Sequence, residues 1–382
     1  MIVLARAGAR DKPVVTGMKP LRLIADDLTG ALDSAAQFAR PGRIIPVFMG
    51  HGLPAKLPAE FAVDSASREK DADAAAEAAA RLAPLLGPAR GVISFRKVDS
   101  LLRGHPGLEI AATLRELRVD HCVIAPAFPF HGRVTRGGLQ WFLRNGSWER
   151  TGEDIRATLK SQGMTVSLVK PGEPVPRGIS LWDAETDNDL RRITLSGAGL
   201  GGTVLWCGSG GLAAALSAPA GPLISMAGIG RPMLGIFGSD HPVTEAQLGA
   251  CGGDILVLRD GGASDASRVS TMMEERGVCL LRFDVPPGMG RAEASAHIAR
   301  AIEGLAMHIR RPASLLAVGG ETLRSLCHVL GTDHLGVTGQ IFPGVPVSRM
   351  VGGSWDGTEV ISKSGAFGDE TLLLRIALER SV

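Results

Sequence analysis

Short apolar runs alternate with alanine-rich amphipathic stretches along most of the chain. Strands are predicted where apolar residues follow one another in short runs, and helices where they recur every three to four positions. The first predicted strands cover residues 21–25, 91–98, 121–127, 179–183 and 203–207. The helices predicted between and around them cover residues 27–39, 68–86, 108–117, 190–195 and 212–216. This alternation is typical of an α/β protein with mainly parallel sheets.

The alternation is interrupted once, by a stretch that is rich in proline and glycine. Residues 217–232 contain three prolines and three glycines, which break regular structure. Beyond them, strands are predicted at 233–237, 255–258, 315–318 and 358–361, and helices at 244–251 and 291–308. We therefore predict two Rossmann-like α/β domains with mainly parallel sheets and a ligand cleft between them. Their bounds are 21–217 and 233–382, with an N-terminal extension at 1–20 and a linker at 218–232.

Composition narrows the class of protein. The 41 basic and 39 acidic residues give a net charge of +2, so no basic field predicts a nucleic-acid partner. Apolar residues make up 45% of the chain, which excludes a disordered protein. No apolar run reaches the ~20 residues that span a bilayer, so no membrane partner is expected. The five cysteines are far apart and lack metal-site spacing, which predicts buried free thiols and a cytoplasmic location.

The N-terminus offers one further expectation. Residues 2–5 form an apolar run too short for a secretory signal. The first 17 residues are therefore either a peripheral extension or lie ahead of a true start at Met18.

Two adjacent acids, Asp26 and Asp27, follow the first predicted strand and open the first predicted helix. Ligands bind at the carboxyl ends of parallel strands in open α/β sheets, so both carboxylates are placed near a ligand. They could accept a hydrogen bond from a substrate hydroxyl, bind Mg²⁺ or act as a base. The alternative is that Asp27 or Thr29 only caps the helix. Two acids directly after an apolar strand favour the functional interpretation.

A charged segment ends the strand predicted at 91–98. Lys97 and Asp99 alternate onto one strand face, as the two-residue period requires. Arg103 and Gly104 precede a helix, and a guanidinium presents a planar fork that suits a carboxylate. The alternative is a network of surface ion pairs. The position of these charges at the end of an apolar strand favours a site.

A loop rich in proline follows the strand predicted at 121–127 and presents His131 and Arg133. Alone this motif is weak, because a single histidine in a rigid loop is more often structural. Its place at the end of a parallel strand puts it beside the two charged segments.

Glycine-rich turns follow several predicted strands. Glycine is also abundant: 50 of the 382 residues are glycine, whereas glycine makes up about 7% of an average protein. One turn, at 207–212, contains Ser209 and can offer backbone N–H groups to an anion. Three more turns lie in the second half, at 238–241, 319–322 and 363–368. Three such turns at strand ends predict a composite nucleotide site, with Ser239, Thr322 and backbone N–H groups holding phosphates.

Taken together, these motifs resemble those of the four-carbon acid sugar kinase family, whose members are ATP-dependent kinases of threonate, erythronate and 3-oxo-tetronate. The resemblance runs from about residue 21 to the C-terminus and includes the segments 183–190 and 343–346. It implies a sugar-acid-binding domain at 21–217 and a nucleotide-binding domain at 233–382. Two segments, 134–139 and 151–156, depart from the family's pattern, so the exact sugar acid stays open.

The resemblance also implies which residues form the site. The catalytic candidates are Asp26, Asp27, Lys97 and Asp99. The substrate-binding candidates are Arg103, Gly104, His131, Arg133 and Ser209. The nucleotide-binding candidates are Ser239, Gly319, Gly320, Glu321, Thr322, Gly344 and Gly365. Metal ligands are not assigned.

The implied reaction is phosphoryl transfer from Mg·ATP to a primary hydroxyl of a four-carbon sugar acid, dominated by positioning and charge neutralisation. Asp26, Asp27 or Asp99 would accept the proton, and Arg103 would hold the carboxylate. The alternative is a non-catalytic sensor of a sugar acid or nucleotide. A dehydrogenase is a weaker alternative, because no G-x-G-x-x-G follows the first strand. The epimer and the oligomeric state stay open, a homo-oligomer included.

Overall fold

Fifteen strands form one large sheet, and three more form a small antiparallel sheet beside it. The structure, a computed structural model, describes residues 18–50, 52–217, 223–239, 241–252, 255–286 and 288–377. The first 17 residues and the core of the predicted linker, 218–222, therefore lie outside the described residues. None of the described helices is long and apolar enough to cross a membrane.

The first half of the chain alternates strands and helices from residue 21 to residue 216. Its strands are β1 (Leu21–Ala25), β2 (Ile45–Met49), β3 (Phe61–Asp64), β4 (Ile93–Lys97), β5 (His121–Ala125), β6 (Arg133–Arg136), β7 (Leu139–Arg144), β8 (Ser147–Arg150), β9 (Val166–Val169), β10 (Gly178–Trp182) and β11 (Val204–Gly208). Its helices are α1 (Leu28–Phe38), α2 (Ala72–Leu82), α3 (Pro106–Glu116), α4 (Ile155–Ser161), α5 (Asp187–Ala198) and α6 (Gly210–Leu216). Short 3₁₀ turns cover Ala83–Leu86 and Pro129–His131.

The second half repeats the alternation and adds a long hairpin. Its strands are β12 (Met233–Phe237), β13 (Ile255–Leu258), β14 (Val278–Phe283), β15 (Ser314–Val318), β16 (His334–Phe342), β17 (Val345–Val351) and β18 (Glu359–Lys363). Its helices are α7 (Pro242–Ala250), α8 (Ala263–Arg276), α9 (Arg291–His308), α10 (Gly320–Val329) and α11 (Leu372–Ala377). A 3₁₀ turn covers Met226–Gly228.

The large sheet consists of two parallel blocks joined by antiparallel strands. The first block has the order β2-β3-β1-β4-β11-β5-β10-β9, and the second has the order β13-β14-β12-β15-β18. Between them, β16 and β17 pair with each other, β17 pairs with β18, and β16 pairs with β2, where Leu335 lies opposite Val47. The predicted α/β class with a mainly parallel sheet is confirmed.

The central strands are buried on both faces, as parallel strands covered by helices must be. In β1, Leu23 and Ala25 belong to one core cluster, whereas Ile24 belongs to another. This split follows from the two-residue period of a strand, which sends successive side chains to opposite faces. The run after residue 20, apolar except for Arg22, is therefore the sequence of a core strand.

Helix α1 lies at the junction of the two halves. Ten of its eleven residues are buried, as expected of a helix that is apolar or small on all sides. It packs against α6 of the first half and against α10 and β16 of the second. The site is therefore built around the start of this helix.

Most predicted elements are present, with ends that differ by a few residues. The predicted helix at 68–86 begins only at Ala72, after a non-helical turn. Strands β2, β3, β6–β9, β14, β16 and β17 and helices α4, α8 and α11 are additions to the predicted set. The division into domains at 218–232 stays a prediction.

Candidate active site

A cavity opens where the two halves meet. The carboxyl ends of β1 and β4 and the start of α1 supply one wall, and the segment that leaves β18 supplies the other. Charged side chains dominate the first wall. The main contributors are Asp27, Asp33, Arg68, Lys97, Asp99, Arg103 and Arg133. Gly344, Pro346, Ser362, Lys363, Ser364 and Phe367 line the cavity from the second half.

Arg68 forms ion pairs with both acids at the end of β1, Asp26 and Asp27. This guanidinium donates two hydrogen bonds to Asp26, at 2.7 and 2.8 Å, and lies 2.6 Å from Asp27 Oδ2. Burial raises the pKa of Asp26 against the opposing charges of Arg68 and Lys97. Asp27 is also buried, but the charges of Arg68 and Lys97 and a hydrogen bond from Thr29 lower its pKa. Both acids are thus held in place by a cation.

Asp27 also caps helix α1. Its Oδ1 accepts the backbone N–H of Gly30 at 2.8 Å, and its Oδ2 accepts the hydroxyl of Thr29 at 2.6 Å. The capping interpretation and the site interpretation therefore hold together for this residue. A Cβ placed on Gly30 would lie 2.7 Å from Lys97 Nζ, so glycine makes room for the lysine.

Asp99 is held by Arg103. The Arg103 side chain donates to both Asp99 oxygens, at 2.9 and 2.8 Å, and the backbone N–H groups of Leu101 and Arg103 donate as well. The charge of nearby Arg68 and the hydrogen bonds from Arg103 keep the pKa of Asp99 well below its usual range in spite of burial. The fork of Arg103 that we expected to hold a substrate carboxylate is thus occupied by Asp99, and its side chain is 48% exposed.

Arg133 is the arginine of the cavity that is not in an ion pair with any described carboxylate. One of its nitrogens donates to the hydroxyl of Ser100 at 2.6 Å. Its guanidinium carbon lies 5.1 Å from the centre of the Phe367 ring. Only 7% of the residue is exposed, and this burial lowers the pKa of Arg133 to about 10. Together with Lys97, it makes this side of the cavity suitable for an anion.

Asp33 lies on the next turns of α1 and also lines the cavity. Its Oδ1 atom is buried and has no hydrogen-bond partner in the part of the chain that the structure describes. Burial raises the pKa of Asp33 to about 6, and the charges of Lys97 and Arg133 oppose this shift. An unpartnered buried carboxylate oxygen is costly and points to a ligand or a reaction.

The glycine-rich turns of the second half converge beside this cavity. A Cβ on Gly238 would collide with the hydroxyl of Thr322, and one on Gly365 would collide with the hydroxyl of Ser239. The turns after β12, β15 and β18 therefore touch one another. This arrangement assembles Ser239, Gly319, Thr322 and Gly365 in one place, as a composite site requires.

The N-terminus of α10 connects this cluster to the acid pair. Its N-cap, Gly319, has no side chain to bond the first N–H groups and has a φ of 113°, in the region that favours glycine. A Cβ on Gly320 would lie 3.5 Å from Thr29 N and 3.6 Å from Asp27 Oδ2. The N–H groups of a helix start suit a phosphate, and the start of α10 lies beside the start of α1. Glu321 instead forms an ion pair with Arg324.

Several predicted site residues have structural partners. Ser209 caps α6, because its hydroxyl donates to Ala127 O at 2.6 Å and accepts from Gly211 N. Gly104 has a φ of 75°, and a Cβ there would lie 3.1 Å from Arg68 O. These two positions shape the backbone around the cavity.

The loop after β5 is held against the second half by rings. His131 stacks on Phe367 with ring centres 4.0 Å apart and an angle of 15°. Burial lowers the pKa of His131 to about 3, so the ring is neutral. A Cβ on Gly344 would meet Phe367 and lie 3.2 Å from His131 Nε2, so this turn must be close to both rings. His131 and Gly344 thus lie at the contact between the halves.

Sequence reasoning missed Arg68, Asp33 and Lys363. Arg68 follows β3, a strand that was not predicted, so nothing placed it at the sheet edge. Asp33 could have been noticed as an acid on an otherwise apolar and small helix. Lys363 is buried at the end of β18, where its Nζ donates to Ser364 O and Phe367 O at 2.9 Å each. Burial lowers the pKa of Lys363 to about 7.

The described residues contain no cluster of three or more acidic, histidine or cysteine side chains that could hold a metal ion. Mg²⁺ in phosphoryl-transfer sites commonly takes only one or two protein carboxylates, with phosphate oxygens and water completing its shell. The carboxylate of Asp27 lies beside the start of α10, but both its oxygens already accept hydrogen bonds, from Arg68, Gly30 and Thr29, so it does not fit as a metal ligand. All five cysteines are buried free thiols, as predicted.

Comparisons with known proteins agree with this arrangement. Residues 21–170 match a sugar-binding N-terminal domain, and residues 281–373 match a nucleotide-binding C-terminal domain. The chain is 30% identical to a D-threonate kinase of Cupriavidus necator, over 92% of this chain and 95% of that protein. The chain belongs to the four-carbon acid sugar kinase family. A D-erythronate kinase of Heliobacterium modesticaldum, another member, is 28% identical over 92% of this chain and 95% of that protein.

Solved structures share the fold of this family member. A crystal structure from Salmonella typhimurium LT2 superposes with a TM-score of 0.70 at 20% identity, covering 93% of this chain and 98% of that chain. A Haemophilus influenzae protein superposes with a TM-score of 0.61 at 20% identity, covering 91% and 97%. These two structures therefore share the fold of this chain at low sequence identity.

Proposed function

We propose that this acid sugar kinase transfers the γ-phosphoryl group of ATP to a primary hydroxyl of a four-carbon sugar acid held in the cavity. One observation carries the proposal. The cationic wall of the first half and the glycine-rich turns of the second half meet where Gly320 faces Asp27 and Thr29. A phosphate at the start of α10 would therefore lie beside the sugar acid.

The carboxylate of the acid would bind at Arg133, assisted by Lys97. Arg133 is buried and lines the cavity, and its charge is not used by a described carboxylate. A planar fork can make two parallel bonds to a carboxylate, which fixes one end of so short a molecule. Arg103 contributes charge at the rim, because Asp99 holds its fork.

The nucleotide would bind against the turns that contain Ser239, Gly319, Thr322 and Gly365. At Gly238 and Gly365 a side chain would fill the space between the turns, so the backbone can approach a phosphate closely. We assign no protein ligand to Mg²⁺, which the phosphates of ATP and water would hold. When bound, the ion would neutralise the charge of the transferring phosphoryl group.

The protein's own contribution is positioning and exclusion of water. Lys97 and Arg133 bind and orient the acid, and the Phe367 ring closes the cavity beside Arg133. In phosphoryl transfer, placement and charge neutralisation carry most of the catalysis. Carbons and hydroxyls of the substrate beyond its carboxylate would then decide which epimer is used.

An ADP-release screen tests the proposal. The full chain is incubated with Mg²⁺, ATP and each of D-threonate, D-erythronate, their L-forms and 3-oxo-tetronates. Threitol and erythritol, which have the hydroxyls and lack the carboxylate, are the matched controls. We expect turnover with at least one acid and none with the polyols. Binding of an acid by calorimetry without ADP release would favour the sensor instead.

A further inference from the structure

The three acids expected to serve as proton acceptor are each held by an arginine. Asp26 receives two hydrogen bonds from Arg68, and Asp99 receives two from the side chain of Arg103. Asp27 is bonded to Arg68 and caps α1. The charges of their partners lower the pKa of Asp27 and of Asp99, which makes both poor proton acceptors, and Asp26 is not among the residues that line the cavity.

Asp33 differs from these acids in its surroundings. It lines the same cavity, yet its Oδ1 is buried and has no hydrogen-bond partner among the described residues. Only 5% of the residue is exposed. A Cβ on Gly210 would collide with Asp33 Oδ2, so the glycine that begins α6 leaves space for the carboxylate. The carboxylate thus borders the cavity, and one of its oxygens has no donor among the described residues.

The charged groups that act on Asp33 come from three elements. Lys97 at the end of β4 and Arg133 at the start of β6 favour its ionised form, whereas Asp27 at the start of α1 disfavours it. Burial is the largest influence and raises the pKa to about 6. The carboxylate is therefore ionised at neutral pH and retains a substantial affinity for a proton, as suits a general base.

We propose that Asp33 accepts the proton of the reacting hydroxyl. This inference rests on the proposed function. The hydroxyl oxygen forms a bond to the γ-phosphorus of ATP as its proton passes to the Asp33 carboxylate. The bond between that phosphorus and the bridging oxygen breaks, and its electron pair leaves with ADP. The phosphorylated acid departs, and the proton on Asp33 returns to water.

The test compares Asp33→Asn with the wild-type full chain. Asparagine has the same shape and cannot accept the proton, so the cavity is preserved. The matched control is Asp64→Asn. Asp64 is equally buried and burial raises its pKa to about 6, but it bonds to Arg324 and lies outside the cavity lining. Steady-state rates are measured from pH 5 to pH 9, and binding of the sugar acid is measured by calorimetry.

We expect Asp33→Asn to lower kcat by a factor of about 10² to 10⁴, the range typical of general-base removal. Binding of the sugar acid should change by no more than about threefold, and the rise of kcat through pH 6 should disappear. Asp64→Asn should retain that rise. This combination separates a proton acceptor from a residue that only shapes the cavity.

Three results would overturn the inference. A variant that keeps kcat within tenfold and keeps the rise through pH 6 would show that another group takes the proton. A loss of sugar-acid affinity as large as the loss of kcat/KM would assign Asp33 to binding alone. Absence of wild-type turnover with every acid would instead overturn the proposed function, and this role with it.

Discussion

The charged side chains of the cavity differ in whether a neighbouring residue already forms an ion pair with them. Arg103 is half-exposed and bonded to Asp99, whereas Arg133 is buried with a hydroxyl as its side-chain partner. An exposed ion pair contributes little, about 0–1 kcal/mol, because water competes for both partners. A buried charge that meets a ligand charge contributes much more, because its loss leaves the ligand carboxylate unpaired. The two arginines should therefore respond differently to truncation.

We predict that Arg133→Ala raises KM for the sugar acid by at least about 30-fold, corresponding to roughly 2 kcal/mol or more. Arg103→Ala should raise it by only a few-fold. Arg133→Lys should recover little of kcat, because a lysine keeps the charge and loses the fork that orients the acid. Steady-state kinetics with the best acid of the panel provide the measurement. The reverse order of the two alanine variants would return the carboxylate to Arg103.

The unpartnered carboxylate of Asp33 should reduce stability at neutral and alkaline pH. Its pKa is raised from 3.8 to about 6, so the folded state holds the proton more tightly than the unfolded state. The stabilisation is present below pH 4 and is lost as pH rises through 6. We predict that Asp33→Asn increases the free energy of unfolding at pH 8 by about 2–3 kcal/mol and changes little at pH 4.

Asp64 provides the contrast in the same denaturation series. Its carboxylate is paired with Arg324, which also forms an ion pair with Glu321. Because the Arg324 pair offsets part of the cost of burying the charge, Asp64→Asn should gain less stability at pH 8 than Asp33→Asn. Equal behaviour of the two asparagine variants in urea melts would contradict the interpretation of Asp33 as an unpaired charge.

For individual residues, the sequence predicted which ones would line the same cavity better than it predicted which acid would pair with which cation. Asp27, Lys97, Asp99 and Arg133 follow the ends of β1, β4 and β5, so parallel topology alone brings them together. Which cation meets which acid depends on side-chain positions and on residues from unpredicted elements. Arg68 is an example, because it follows the unpredicted strand β3 and forms ion pairs with both acids at the end of β1.

Among the elements, the three glycine-rich turns act as one unit. The turns after β12 and β18 are so close that a methyl group on Gly365 would collide with Ser239 Oγ. Thr244 Oγ1 donates to Gly365 O at 2.9 Å and fixes that backbone further. Lys363 holds the same segment through Ser364 O and Phe367 O. A side chain at Gly365 must therefore displace the turn that contains Ser239.

We predict that Gly365→Ala raises KM for ATP by roughly tenfold or more, about 1.4 kcal/mol, and leaves KM for the sugar acid within threefold. Gly249→Ala in α7 is the matched control, because a Cβ there meets no heavy atom within 4 Å. That change should leave both constants unaltered and favour the helix slightly. If the two variants have the same KM for ATP, the turn does not belong to the nucleotide site.

The elements that sequence patterns missed share a physical cause. Strand β2 contains Pro46, and β16 contains Gly336 and Gly339, so local propensity is weak in both. These two strands form because they pair with each other across a long distance in the chain, with Leu335 opposite Val47. By contrast, β1 and α1 were predicted well, because an apolar run followed by an acid and a small-residue helix is a local pattern.

In the molecule as a whole, one continuous sheet contains the strands that position the site residues from both halves of the chain. The β16–β17 hairpin joins the two parallel blocks, and the Asp64–Arg324 ion pair at 2.8 Å and the stacking of His131 on Phe367 join the halves beside the cavity. The sequence predicted a cleft between two α/β units. It gave no sign of the continuous sheet, because that depends on pairing of residues nearly 300 positions apart.

The central claim is that the cavity transfers phosphate from ATP to a four-carbon sugar acid. The most direct measurement is ³¹P NMR of the full chain with Mg²⁺, ATP and the best acid of the panel. We predict a new phosphomonoester signal, coupled to the protons of a primary carbon, that grows in equal amount to ADP. ADP accompanied only by inorganic phosphate, or no phosphomonoester with any acid of the panel, would contradict the account.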